Sequence, residues 1–395
     1  MISGANAAAR GGDWVHTLEL ARGLAGAGVR VTLILRGSCR GLVMENLRLI
    51  GLPVTGNKYL DGLIWPVIVC MAALILIFRD EPEAVYVRDS IYELPVVYLI
   101  RLLGRPVCLE VNAVVAEDLR ARERASWKVA IAGWAQQKAC LKATLVLPVT
   151  TSLARWLCEA GVPAHRVAVV ANAANPYLYR PVERKAAQAS AGLDPARRYL
   201  CFAGNLAAWQ GGEIVLEAFS RLARQYADVT LLVIGDGQKK GELEARARQL
   251  ALPGRVLFTG RLPYEQVPLY MGACAAGIGG GWYGENRLLR RRFRSSGSSA
   301  IKVFSYLACG LPVVIPDLPD LSGMVRQAGC GLAAEPWQER GLETALRAIL
   351  EYPQHWAEAG LRGRAWIERE SAWEHRADQV FTLLEMARAR MGGRV

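Results

Sequence analysis

Histidine is scarce in this chain of 395 residues: His16, His165, His355 and His375 are the whole set. No two of them stand in a spacing that a zinc-dependent hydrolase would use, so no metal site is expected. Cysteine is commoner, with nine residues at 39, 70, 108, 140, 158, 201, 274, 309 and 330, but no Cys-x-x-Cys pair exists and the number is odd. That pattern speaks against a disulfide framework and against a zinc ribbon. It suits a reducing compartment, so the cytoplasm is the expected location. The N-terminal residues lack a basic region followed by an apolar core, so no secretory signal is expected. Acid is in deficit, 36 Asp and Glu against 48 Lys and Arg, for a net charge of +12. Such a surplus favours anionic partners: phosphate-bearing substrates, a membrane surface or nucleic acid. Nucleic acid is set aside, because no recognised module and no interleaving of basic and aromatic residues occurs.

What is present is a globular composition, 52% hydrophobic and 21% charged. The length exceeds one ordinary core and suits two domains. One uncharged run, Gly62–Phe78, falls just short of the roughly 20 residues needed to span a bilayer. It contains Pro66 and ends at Arg79-Asp80-Glu81. A buried core helix is the preferred reading, ahead of a membrane span or a helix lying on a membrane surface.

Helical and strand-like segments alternate along the first half. Asp13–Ala27 has helical apolar spacing and stops at Gly28. Strands are predicted at Val29–Leu35, Ala84–Arg88, Pro106–Val111, Thr144–Val149 and Val167–Ala171. Helices are predicted at Ile91–Leu103, Trp127–Lys142 and Ser152–Ala160. Continuous apolar runs between helices indicate a parallel sheet covered on both faces, hence a doubly wound α/β domain. Asn172–Pro181 is rich in Asn and Pro and reads as a linker. The second half repeats the pattern, with strands at Tyr199–Ala203, Val229–Ile234, Val256–Thr259 and Val313–Ile315. Its helices are Gly212–Gln225, Gly241–Leu250 and Ser299–Ala308, with more between about Gln338 and Arg390. Between Gly279 and Gly297 the pattern breaks into a Gly- and Arg-rich loop carrying Arg287, Arg290, Arg291, Arg292 and Arg294. The domains are therefore set at residues 1–175, 176–372 and a terminal helix, 373–395, packing back on the first.

Four glycine turns stand out: Gly204, Gly235-Asp236-Gly237, Gly260 and Gly310. Open parallel sheets bind ligands at the C-terminal edge of their strands, and glycine lets backbone approach a phosphate there. Several such turns in one domain favour a nucleotide site. Gly11-Gly12 opens the first helix, either as a flexible turn or for close approach of a substrate or of the partner domain.

These residues resemble glycosyltransferase family 4. Gly11-Gly-Asp-Trp-Val-His-Thr-Leu-Glu-Leu-Ala-Arg-Gly-Leu24 is similar to the family's opening. Val169-Val-Ala-Asn-Ala-Ala-Asn-Pro176 resembles its inter-domain passage. Gly204-Asn-Leu-Ala-Ala-Trp-Gln-Gly-Gly212, Ile234-Gly-Asp-Gly237, Phe258-Thr-Gly-Arg-Leu-Pro263 and Ser299-Ala-Ile-Lys-Val-Phe-Ser-Tyr-Leu-Ala-Cys-Gly-Leu-Pro-Val-Val314 are also typical, the last most specifically. The resemblance implies a GT-B fold of two Rossmann-like domains facing across a cleft, with acceptor on the first and nucleotide-sugar donor on the second. It implies a retaining, metal-free transfer with no cofactor beyond the donor itself. Donor contacts would fall on Gly12, Gly204, Asn205, Gln210, Gly235, Gly237, Arg261, Leu262, Lys302 and Ser305, and chemistry on Asn112, Lys302 and Ser305.

The chain departs from the family where charge is expected. Asn205 and Gln210 replace an Arg and a Lys, Ser305 replaces the Glu that grips the ribose, Gly297 replaces a further Glu and Asn175 an Asp. Asn112, in Leu109-Glu-Val-Asn-Ala113, resembles the branch in which a catalytic-face histidine becomes Asn; a strand-end turn is an equal reading. The arginine cluster could supply the missing cations, although a solvated basic loop is preferred. The expected function is transfer of a sugar from a nucleoside-diphosphate sugar to a glycan or lipid-linked acceptor in envelope or exopolysaccharide synthesis, with peripheral contact at an anionic inner membrane. A catalytically weakened sugar-nucleotide-binding partner protein is the alternative.

Overall fold

The computed structural model describes residues 1–8, 11–39, 44–88 and 93–392. It divides into two compact units, Met1–Ala171 with Trp373–Val395, and Asn172–Ala372. The division falls four residues before the one expected from sequence, at the start of the Asn172–Pro181 segment, which hydrogen bonds tie to the C-terminal unit. Ala174 N–H donates to Ser371 O at 3.0 Å. Arg364 Nη1 donates to Pro176 O at 2.9 Å and to Tyr179 O at 2.6 Å.

Among the described residues of the N-terminal unit, six strands form one parallel sheet. They are β1 (Ile2–Asn6), β2 (Val31–Arg36), β3 (Leu47–Leu52), β4 (Val85–Arg88), β5 (Val107–Val111) and β6 (Leu145–Pro148). Their spatial order is β3-β2-β1-β4-β5-β6. The C-terminal unit holds β7 (Arg198–Ala203), β8 (Val229–Ile234), β9 (Val256–Gly260), β10 (Ala276–Ile278), β11 (Val313–Pro316) and β12 (Gly331–Ala334), ordered β12-β11-β10-β7-β8-β9. Both sheets thus have the strand order 3-2-1-4-5-6 of a Rossmann domain. Each has a switch point beside its first strand, where the chain reverses its direction of progress across the sheet.

The first strand is a full five residues, Ile2–Asn6, lying parallel between β2 and β4. Predicted Val167–Ala171 makes only an isolated bridge from Val167 to Val146. The expected loop at Gly279–Gly297 contains a helix, Arg287–Ser296, because Leu289 and Phe293 bury one face and Asn286 caps it, accepting from Leu288 and Leu289 N–H at 3.0 Å. Gly310 follows a helix and precedes β11, which puts it at the N-terminal edge of the sheet, away from the binding edge.

Helices α1 (Gly12–Gly26), α2 (Lys58–Asp80), α3 (Glu93–Leu102), α4 (Val115–Ala121) and α5 (Ser126–Lys142) serve the first sheet. Alternation along β4 and β5 sorts their side chains. Val85, Val87, Val107, Leu109 and Val111 face a core with Trp65, Val69, Ala73 and Ile77 of α2, Val96, Val97 and Ile100 of α3, and Ala139 and Cys140 of α5. The run expected to be a buried core helix is therefore buried along one stripe. Its other side leaves Val67, Met71, Ile75 and Phe78 exposed. A stripe against a sheet uses only part of a helix surface, and an all-apolar sequence hides which part.

The terminal helix, Trp373–Gly392, packs on α1. The two approach closely at Gly23, where a Cβ would lie 2.7 Å from Ala377 Cβ and 3.2 Å from Trp373 O. Gly23→Val should force them apart and cost about 1–3 kcal/mol. Thermal unfolding checks this; a variant as stable as the parent would contradict the close packing.

Candidate active site

The switch point of the C-terminal unit lies between β7 and β10. The chain leaving β7 turns at Gly204 and reaches Gln210; the chain leaving β10 passes Gly279 and Gly280. These segments meet: Gly281 N–H donates to Gln210 O at 3.0 Å. Between them comes Lys302, on the second residue of the Ile301–Ala308 helix, whose ammonium donates to Gln210 Oε1 at 2.9 Å. No carboxylate pairs with it among the described residues. Lys302 keeps some access to solvent, yet desolvation lowers its pKa to about 8.

Glycine permits this crowding. A Cβ on Gly204 would fall well inside contact distance of the Lys302 side chain, and one on Gly235 would strike the Gly204 carbonyl. Both have positive φ, +139° and +129°, which L side chains avoid. Gly204 N–H donates to Ile234 O at 2.8 Å and Gly235 N–H to Gly260 O at 2.9 Å, tying the β7, β8 and β9 turns into one floor. Gly237 lies in the same floor, where a Cβ would meet Asn205 Oδ1 at 2.6 Å.

The other predicted donor residues divide. Ser305 is buried, and its hydroxyl donates back to Ile301 O at 3.2 Å, so its proton is spent inside its own helix. Arg261 is exposed just beyond β9, while Leu262 packs partly into the core of the C-terminal unit. Gly12 belongs to the N-terminal unit and opens α1. The helix Arg287–Ser296 places the Arg292 guanidinium carbon 6.0 Å from the Trp209 ring centre, beside Gln210. Arg287, Arg290, Arg291 and Arg294 are exposed.

The N-terminal unit holds a second polar group that the sequence reading did not single out. Glu110 of β5 is 1% exposed, yet charged. Its carboxylate is hydrogen-bonded to His16 Nε2 of α1 at 2.8 Å, accepts from the Tyr86 hydroxyl, and lies 3.4 Å from Arg88 Nη1. Burial pushes the Glu110 pKa up, but His16 and Arg88 outweigh it and hold the group well below the usual carboxylate range. Burial and the same carboxylate push Tyr86 well up. Arg88 Nη2 in turn donates to Asn112 Oδ1 at 3.3 Å, just after β5. Asn112 Nδ2 is buried and makes no hydrogen bond among the described residues. An acid inside the apolar strand Val107–Val111 was the available signal, since such a strand excludes an unpartnered charge.

Two family models match the chain. One, described as Glycosyl transferase 4-like domain, covers residues 11–173; the other, Glycosyl transferases group 1, covers residues 183–366. The chain belongs to the family-4 glycosyltransferases, with the GT-B fold. It is similar to the 2-deoxystreptamine glucosyltransferase of Streptomyces kanamyceticus, 26% identical over 285 residues, or 70% of each chain. It spans about half the length of further curated relatives that it matches. Among solved structures, sucrose-phosphate synthase from Thermosynechococcus elongatus aligns with a TM-score of 0.78 at 18% identity, over 98% of both chains. Anabaena HepE, solved in complex with UDP-glucose, aligns with a TM-score of 0.72 at 17% identity, over 98% of this chain and 99% of that one. At such identities the likeness is one of fold.

Glu110→Gln should cost about 3–5 kcal/mol, because it strips the anion from buried His16 and Arg88. Tyr86→Phe should cost less, about 1.5–3 kcal/mol, since it removes one hydrogen bond to that anion. Urea unfolding at neutral pH measures both; equal costs would deny that the carboxylate is the hub. Its folded pKa is depressed, so its contribution is present at neutral pH and lost as pH falls below the usual carboxylate range.

Proposed function

We propose that this glycosyltransferase moves a sugar from a nucleoside-diphosphate sugar to a glycan or lipid-linked acceptor, with the donor diphosphate held by the C-terminal unit. The observation that carries the reading is Lys302. It is an ammonium group at a switch point, bonded to a neutral amide and beside a floor of glycine turns. Sugar transfer breaks the bond between the anomeric carbon and the β-phosphate oxygen, so negative charge grows on that oxygen. A cation already in place, in a poorly solvated setting, stabilises that charge without reorganising. Gln210 would orient the ammonium, and the glycine turns at Gly204 and Gly235 would let the phosphates approach the backbone closely.

The family's reaction retains anomeric configuration and needs no metal, and we extend both to this chain. Where the family places an Arg and a Lys, this chain has Asn205 and Gln210, so we assign a second cation to the Arg287–Ser296 helix, through Arg292 over Trp209. On the acceptor side we place Asn112, steadied by Arg88. The likeness in fold to a protein solved with UDP-glucose supports a sugar-nucleotide donor. We place the protein in the cytoplasm, with its acceptor destined for a cell-envelope or exopolysaccharide product.

The charge of Lys302 sets the test. Lys302→Met should weaken donor binding about tenfold or more, by loss of a charge-assisted contact. In the parent, affinity should fall as pH rises through about 8, where the free enzyme's ammonium deprotonates; the variant should lose that dependence. Replacing Arg290, Arg291 and Arg292 together with Gln should lower affinity severalfold. Titration calorimetry over pH 6–9 reads both. Unchanged affinity in Lys302→Met would overturn the donor role, and unchanged affinity in the arginine variant would return that helix to a solvated basic surface. Binding without turnover on plausible acceptors would favour the partner-protein reading.

A further inference from the structure

Helices α2, α3 and α5 lie side by side over one face of the N-terminal sheet, α2 against α3 and α3 against α5. Their inner stripes fill the core. Their outer stripes are apolar as well. On α2 the outer positions Val67, Met71, Ile75 and Phe78 are 58%, 59%, 60% and 70% exposed. On α3, Leu102 is 83% exposed and Tyr98 44%. On α5, Trp127, Ile131 and Trp134, spaced four and three residues apart, are 61%, 57% and 55% exposed. A soluble monomer rarely leaves one contiguous layer of this kind uncovered.

The charge on α5 is of one sign. Ser126–Lys142 contains no acid, and its outer face continues from the tryptophans to Lys138 and Lys142. Lys142 Nζ sits 5.3 Å from the centre of the Tyr98 ring on the neighbouring helix, and Lys128 Nζ 5.2 Å from that of Trp127. On α2 the acids are occupied at the ends: Asp61 by Arg36 and Thr55, and Asp80 by Arg79 and Arg48. An apolar plane with exposed tryptophans and lysines reaching from its aromatic rings matches the depth profile of a bilayer surface. Indole rings favour the headgroup level, aliphatic groups the region below, and ammonium groups the anionic phosphates.

We propose that the outer surface of α2, α3 and α5 docks the protein, lying flat, on an anionic lipid bilayer. α2 does not span the bilayer: Trp65, Val69, Ala73 and Ile77 are committed to the core of the N-terminal unit. The proposal is independent of the donor-site reading, since no residue of the patch belongs to that site.

The test is co-sedimentation of the full chain with vesicles of phosphatidylcholine alone or with about one-third phosphatidylglycerol, together with tryptophan fluorescence. The expected results are binding to the anionic vesicles with a blue shift, and weak binding to the neutral ones. Trp127→Ser, Ile131→Ser and Trp134→Ser together should lower the partition coefficient about tenfold or more, as should Lys128→Gln, Lys138→Gln and Lys142→Gln together. These side chains are exposed, so circular dichroism and sugar-nucleotide affinity should match the parent. Absence of binding to anionic vesicles, or binding indifferent to both triple variants, would overturn the proposal. So would a dimer in analytical ultracentrifugation that the apolar triple variant dissociates, because the layer would then belong to a second copy of the chain.

Discussion

One ammonium group dictates the local sequence of the C-terminal unit. Lys302 reaches the switch point only because residue 204 has no side chain, since a Cβ there would collide with the lysine. The backbone of Gly204 in turn requires residue 235 to be glycine, because its carbonyl occupies the space a Cβ would need. Gln210, which takes the lysine's hydrogen bond, makes the same demand on Gly280. Three glycines from three strand ends are thus consequences of one cation's position. A cation so placed is costly without an anion, which the lowered pKa of Lys302 expresses. A bound diphosphate would offset that cost.

The two units share a strand order and differ in their chemistry. At the edge of the C-terminal sheet the poorly solvated charge is positive and paired with a neutral amide. In the N-terminal unit the buried charge is negative, on Glu110, with His16, Tyr86 and Arg88 arranged around it. The first arrangement leaves charge to spend on a ligand. The second is paired within its own unit, although Glu110 Oε1 and Arg88 Nη1 make no hydrogen bond among the described residues, and it reaches Asn112 through Arg88. A buried carboxylate held by three partners fixes their side chains and suits positioning better than acid–base work.

Much of the fold was legible because central parallel strands are apolar without interruption. Val229–Ile234 reads as a strand directly and is one, with the same bounds. The strands that escaped notice break that rule: Ile2–Asn6 carries Ser3 and Gly4, Leu47–Leu52 carries Arg48 and Gly51, Ala276–Ile278 is three residues long, and Gly331–Ala334 is glycine and alanine around one leucine. The Arg287–Ser296 helix was obscured by its charge, although Leu289 and Phe293 are one helical turn apart. The glycine turns were visible at the ends of predicted strands, and Lys302 through family resemblance. Their meeting was not, since Lys302 and Gln210 stand 92 positions apart and His16 and Glu110 stand 94 apart. Pairings across such separations are made by topology, and apolar periodicity carries no record of them. Likewise, the apolar run at Gly62–Phe78 could not reveal that only one stripe of its helix is used by the core.

The most direct measurement is calorimetric titration of the full chain, near neutral pH, with UDP-, GDP- and ADP-sugars, repeated on Gly235→Ala. The account predicts that at least one donor binds with single-site stoichiometry and that the added methyl group abolishes that binding by displacing Gly204 from beneath Lys302. Failure of every donor to bind, or equal binding by Gly235→Ala, would contradict it.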